Sequence, residues 1–138
     1  MYYINLLMKN TKLKLIEYVY YFSFIVLLIL YLFPGSLIGY ILYGNLGQQP
    51  NFIDNPIGTS INHLVFFSYI TILAMTVRLR AKNILTNYRF ILFISCVLEI
   101  SHLIIPNRAF EFYDLLANFT GVVIILLLNS FIKWRKHL

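Results

Sequence analysis

The stretch Ser95–Gly121, SCVLEISHLIIPNRAFEFYDLLANFTG, decides how the rest of the chain is read. Apolar runs of membrane-helix character flank it. Yet it holds Glu99, His102, Arg108, Glu111, Asp114 and Asn118, most of the ionisable chemistry outside the basic segments. Glu99 precedes Ile105, the expected end of its helix, by about 9 Å at 1.5 Å per residue. A charge near a helix centre costs of order 2.5–3.5 kcal/mol on insertion scales, so Glu99 is expected to face a bundle interior rather than lipid. Ser95, Glu99 and His102 fall at i, i+4 and i+7, one polar stripe over two turns. Asp114, Asn118 and Gly121 repeat that spacing on the next helix. Joined by the short 106–113 connection, the two stripes are expected to meet, with His63 closing a third side.

Composition says what surrounds this stretch. The 138 residues are one domain's worth, 60% hydrophobic and 12% charged, whereas soluble domains keep about a quarter of their residues charged. The expected fold is all-α: a single integral-membrane four-helix bundle over 1–138. A bilayer core of ~30 Å needs about 20 helical residues, and the apolar runs place spans near 15–33, 61–77, 90–105 and 115–132. The first ends at Pro34-Gly35. A signal peptide is the rival reading of that run; its apolar core is longer than the usual 7–15 residues and no A-x-A-like site follows, so an uncleaved helix is expected. Residues 34–60 form an outer loop whose first part, 37–46, is too short to span and is expected to lie in the interface. Gly35-x-x-x-Gly39 matches a helix-packing spacing but directly follows a proline, which favours turn chemistry. Gln48-Gln49-Pro50 and Asp54-Asn55-Pro56 are turn signals.

Charge then orients the bundle. Four spans put the termini and the 78–89 loop on one side, with ten of the eleven Lys and Arg residues; Arg108 alone lies in the outer loop 106–114. The positive-inside bias makes both termini cytoplasmic and the polar cluster extracytoplasmic. It also explains the net charge of +6 without nucleic acid. Trp134 and the tyrosines at 18–21 are expected to form an aromatic belt. A lone cysteine, Cys96, excludes an intrachain disulfide.

Each polar residue has a structural and a functional reading. Asp114 is a good acid for the first turn of the fourth helix, where it favours the dipole. Arg108 can pair with Glu111 or Asp114. Asn118 and Gly121 suit interhelical bonding and close packing, and His63 and His102 suit hydrogen-bonded core positions. Glu99, a buried intramembrane acid, is the residue hardest to give a purely structural purpose. Functionally, Glu99 and His102 are the candidate catalytic pair, and His63, Arg108, Asp114 and Asn118 the candidate ligand-binding set. Glu99-x-x-His102 matches half of a di-iron bundle motif, but no second copy exists. No metal and no cofactor are expected. A Gly-rich phosphate loop is absent from the sequence.

Three segments together resemble a known signature: Glu99-x-x-His102, Pro106-Asn107-Arg108, and Asp114-Leu115-Leu116-Ala117-Asn118-Phe119-Thr120-Gly121. They are similar to the Glu-x-x-Gln, Pro-x-Arg and D-x-x-A-N-x-x-G elements of the VanZ-like family of small bacterial membrane proteins. His63-Leu64-Val65-Phe66-Phe67 resembles the histidine-led opening of an earlier span in that family. The resemblance covers about 61–128. His102 departs from the family's glutamine, and the lysine often found before the first histidine is missing. The family's named member is associated with low-level teicoplanin resistance, so the resemblance implies a multi-pass protein of the bacterial cytoplasmic membrane with its polar cluster facing out. The expected function is binding of a membrane lipid head group, a lipid-linked cell-envelope precursor or a lipophilic glycopeptide. Two alternatives stand beside it. One is a membrane-embedded enzyme on the same substrate class, with Glu99 as acid or base, a histidine as partner and Arg108 stabilising an anion. The other is a structural or proton-relay subunit, alone or in a homo- or hetero-oligomer.

Overall fold

A computed structural model describes residues 2–50 and 58–136, by backbone alone at 2–9 and 58–59; Asp54 and His137 lie outside the described residues. Five helices follow one another: α1 (Tyr2–Leu32), α2 (Leu37–Tyr43), α3 (Gly58–Arg78), α4 (Tyr88–Ser101) and α5 (Phe112–Arg135). Among the described residues there is no strand. Three segments are long and apolar enough to cross a membrane: Asn10–Leu32, Ser60–Arg78 and Phe112–Arg135.

The packing is inverted relative to a soluble protein. Phe22, Ile25 and Ile29 of α1, Ile72 of α3, Phe93 of α4 and Leu127 and Leu128 of α5 are exposed. The buried apolar set is a narrow seam: Tyr20, Phe24, Leu27 and Tyr31 face Phe67, Ile70, Ala74 and Val77, with Ile91, Leu98 and Val122 completing it. On α1 and α3 these residues recur at steps of three and four, the spacing of one helical stripe. The most extensive interface is α3 against α5, followed by α1 against α3 and α4 against α5.

The third expected span is shorter than the sequence suggests. The apolar run predicts it over 90–105; α4 has 14 residues, about 21 Å of helix against a bilayer core of ~30 Å. The Asn87 side chain accepts from the Arg89 N–H at 3.1 Å and starts it. At the other end the N–H groups of His102, Leu103 and Ile104 bond the carbonyls of Glu99, Ile100 and Ser101, tightening the chain into i+3 turns. Pro106 disfavours an α conformation at Ile105, and Asn107 reverses the chain at φ 57°. The fourth span starts earlier than expected, at Phe112, which places Asp114 in its first turn.

The segment after α1 is a compact corner. Ser36 Oγ accepts from the Gly39 N–H at 2.9 Å to cap α2. Gly35 turns the chain at φ +86°, as the proline beside it suggested, and Gly39 serves a close approach: a Cβ there would lie 1.6 Å from the Gln48 carbonyl oxygen.

The bundle has two chemically distinct ends. At one, the end of α1, the start of α3, the end of α4 and the start of α5 bring Tyr31, His63, Glu99, His102, Asp114 and Asn118 together. At the other, Arg80 Nη1 meets Glu17 Oε2 at 2.7 Å and Asn83 donates to the Tyr21 hydroxyl at 2.6 Å. The Tyr20 hydroxyl donates to the Leu85 carbonyl there. Tyr20 is fully buried and belongs to the core, not to an aromatic belt.

Candidate functional site

Glu99 has no exposed surface. Its position in the last turn of α4 points it at the first two turns of α5, the side on which the two polar stripes are expected to meet. Asn118 Nδ2 donates to the Ser95 carbonyl at 3.3 Å and reaches Glu99 Oε2 at 3.5 Å. The other carboxylate oxygen faces His102 Nδ1 at 3.2 Å and accepts from the Glu111 N–H at 3.3 Å. His102 Nε2 donates to the Tyr31 carbonyl at 3.2 Å, and the two rings stack at 5.5 Å between centroids.

Tyr31 and Ser60 join the site without having been singled out in the sequence. The Tyr31 hydroxyl donates to Asn118 Oδ1 at 2.8 Å and accepts from His63 Nδ1 at 2.7 Å. His63 Nε2 lies 3.4 Å from Asp114 Oδ2, and Ser60 Oγ donates to Asp114 Oδ1 at 2.5 Å. The signal that could have found Tyr31 is the Tyr20-Phe24-Leu27-Tyr31 stripe, since a tyrosine on a buried face needs a partner for its hydroxyl.

His102 Nε2 faces a carbonyl and so carries hydrogen, and Tyr31, having given its proton to Asn118, accepts from His63 Nδ1. Two acids and two histidines thus lie side by side in a setting where an unmatched charge would be expensive.

Arg108 stands apart from that group. Its guanidinium donates to the carbonyls of Leu30 at 2.6 Å and Phe33 at 3.4 Å, the exposed acceptors at the end of α1. The expected pairing with Glu111 or Asp114 is therefore replaced by a helix-end contact; both carbonyls lie where the helix dipole favours a cation. Burial lowers the affinity of this guanidinium for its proton, though arginine remains charged in proteins.

Gly121 sets the spacing between α3 and α5. A Cβ there would lie 2.5 Å from the Leu64 carbonyl oxygen and 3.2 Å from the Ser68 nitrogen. The Ser68 hydroxyl donates to the Gly121 carbonyl at 3.2 Å. This close approach, one residue beyond His63, is what lets His63 reach across to Asp114 and Asn118.

A cavity of about 120 Å³ opens beside the cluster, between α1, α2, α3 and the turn after α4. Leu30, Leu37, Ile38 and Phe66 give it apolar walls, and His63, His102 and Arg108 are among its polar lining residues. Of the expected ligand-binding residues, His63 and Arg108 reach the cavity, whereas Asp114 and Asn118 stand behind His63 as supports. Glu99, half of the expected catalytic pair, likewise stands behind His102. His63, Glu99 and Asp114 present three possible metal-ligand atoms within 4.8 Å of one another.

Compared with family models, curated proteins and solved structures, the chain matches none. What fold and site define together is a class: an all-helical chain with three membrane-length helices and a buried acid–histidine network at one end.

Proposed function

We propose that this is a four-pass membrane protein whose site binds the anionic head group of a membrane lipid or lipid-linked cell-envelope precursor. In this reading α4 and the turns through Ile105 make the short fourth crossing. The helices alternate direction between the polar and basic ends, so the basic end, carrying both termini, is cytoplasmic. Assignment to the bacterial cytoplasmic membrane rests on the resemblance to the VanZ-like family.

The observation that carries the function is Arg108: its guanidinium lines a cavity with apolar walls and is held there by the Leu30 carbonyl rather than by an acid. Its planar fork suits phosphate or carboxylate. Size narrows the ligand: sites for drug-sized molecules span about 300–1,000 Å³, so 120 Å³ admits a head group and argues against a glycopeptide. Catalysis is less well supported than binding, because all four ring nitrogens of His63 and His102 face partners within the protein.

Native mass spectrometry of gently extracted protein tests this. A phosphate-bearing lipid is expected to co-purify and to be lost in Arg108→Ala. Equal retention by the variant, or no bound lipid in the wild type, defeats the reading.

A further inference from the structure

The basic end holds a second and larger recess, about 890 Å³, between the end of α3, the 79–87 loop, the start of α4 and the end of α5. Three cations line it: Arg78, Lys82 and Lys133. No acid does; Glu17, the acidic residue of α1, is bound to Arg80. Arg78 Nη1 donates to the Thr86 carbonyl at 3.3 Å, which ties its side chain to the loop.

The lining is graded. Along α5 it passes from Leu126 through Asn129 and Ser130 to Lys133, positions i, i+3, i+4 and i+7 on one face. Along α3 it passes from Met75 through Thr76 to Arg78. On α4, which runs the other way, Ile91 lies deeper than Tyr88. α3 and α5 therefore offer apolar surface toward the bundle middle, hydroxyl or amide groups above it and a cation toward the rim, where Leu79 also lies, and α4 adds Ile91 beneath Tyr88. That gradient matches an amphiphile bearing an anionic head, and the volume falls within the usual range for ligand sites. Basic pockets between membrane helices on the cytoplasmic side suit phosphate-bearing lipid heads.

We propose that this recess is a binding site for the phosphate head group of an anionic glycerophospholipid in the leaflet at the basic end. The inference rests on the chain crossing a membrane and is independent of ligand binding at the Arg108 cavity.

The test uses the whole chain in neutral-lipid nanodiscs doped with phosphatidylglycerol, with bound lipid counted by native mass spectrometry after gentle release. An Arg108→Ala background removes any lipid held by the other cavity; should that cavity hold none, the comparison reads the same. Phosphatidylglycerol is expected to be retained in preference to phosphatidylcholine. Each juxtamembrane cation contributes about five-fold, so Lys82→Gln/Lys133→Gln should weaken retention roughly 30-fold. Lys12→Gln/Lys136→Gln, which removes the same charge outside the recess, should leave it within about two-fold. Equal losses in the two double variants, or none in the first, overturn the proposal. Displacement of the lipid by millimolar inorganic phosphate would assign the recess to a soluble phosphate and also overturn it.

Discussion

Adding one methyl group at Gly121 should cost both stability and ligand. The Cβ of Gly121→Ala would sit 2.5 Å from the Leu64 carbonyl oxygen, and ordinary contact begins at 3.4 Å, so α3 must move back by about 0.9 Å. Nothing flexible can absorb this, because all three nearest atoms are main chain. His63 adjoins Leu64 and would travel with it. Its separations of 3.4 Å from Asp114 and 3.2 Å from Asn118 would widen past hydrogen-bonding range. Overpacking of this kind costs about 1–3 kcal/mol, and partial loss of the His63 contacts places the total toward the upper end. Reversible unfolding in SDS, followed by circular dichroism in mixed micelles, would measure the change. Lipid retention by Gly121→Ala would report on the site, with Thr120→Ala as the control on the same turn. A stability change below about 0.3 kcal/mol, with lipid retention intact, would mean that α3 and α5 do not meet at Gly121, and the derivation of the site from that crossing would fail.

Tyr31→Phe should be milder than its central position suggests, about 1 kcal/mol. His63 Nδ1 and Asn118 Oδ1 are already 3.2 Å apart and can bond directly; a loss above 3 kcal/mol in the same SDS titration would show that they cannot. Glu99→Gln disturbs the buried Glu99–His102 contact and, whichever way the amide is turned, sets its nitrogen against the Asn118 amide or the Glu111 N–H, so a loss of about 3 kcal/mol or more is expected. Wild-type yield and unfolding midpoint for Glu99→Gln would contradict the pairing of Glu99 with these groups. Glu111→Gln tests a pH effect. Partial burial, then the charges of Asp114 and Glu99, raise the Glu111 carboxyl above its ordinary range. The folded state therefore holds this proton more tightly than the unfolded chain, and the associated stability is present at low pH and lost as pH rises through the folded value. Glu111→Gln should match the wild type near pH 4 and exceed it slightly at pH 7; the reverse ordering would refute the assignment.

The sequence was most legible in the helices long and apolar enough to cross a membrane. Long apolar runs gave α1, α3 and α5, because a membrane imposes length and hydropathy on any helix that crosses it. It was least legible at the end of α4. His102-Leu103-Ile104-Ile105 is as apolar as the helix before it, and only Pro106 hinted that i+3 turns would replace helix there. The convergence of Glu99, Asp114 and Asn118 followed from helical spacing, which fixes the face of a residue but not its partners. Thus Arg108, whose structural reading was a pairing with an acid, caps α1 instead. Tyr31 was hidden among eleven tyrosines, its role set by which face of α1 is covered, a tertiary fact.

The shortness of α4 reaches beyond topology. Its 14 residues fall about 9 Å short of a typical hydrocarbon thickness. In the four-pass reading proposed above, the turns through Ile105 recover part of that length, and a bilayer around the protein would dimple or admit water beside Glu99 and His102 to meet the rest, at a modest cost for each ångström of mismatch. A lipid head entering the Arg108 cavity would descend below its neighbours, and thinner membranes would ease that descent. Acyl-chain length, varied with head group held constant, should therefore tune occupancy, making membrane thickness itself an input to the protein.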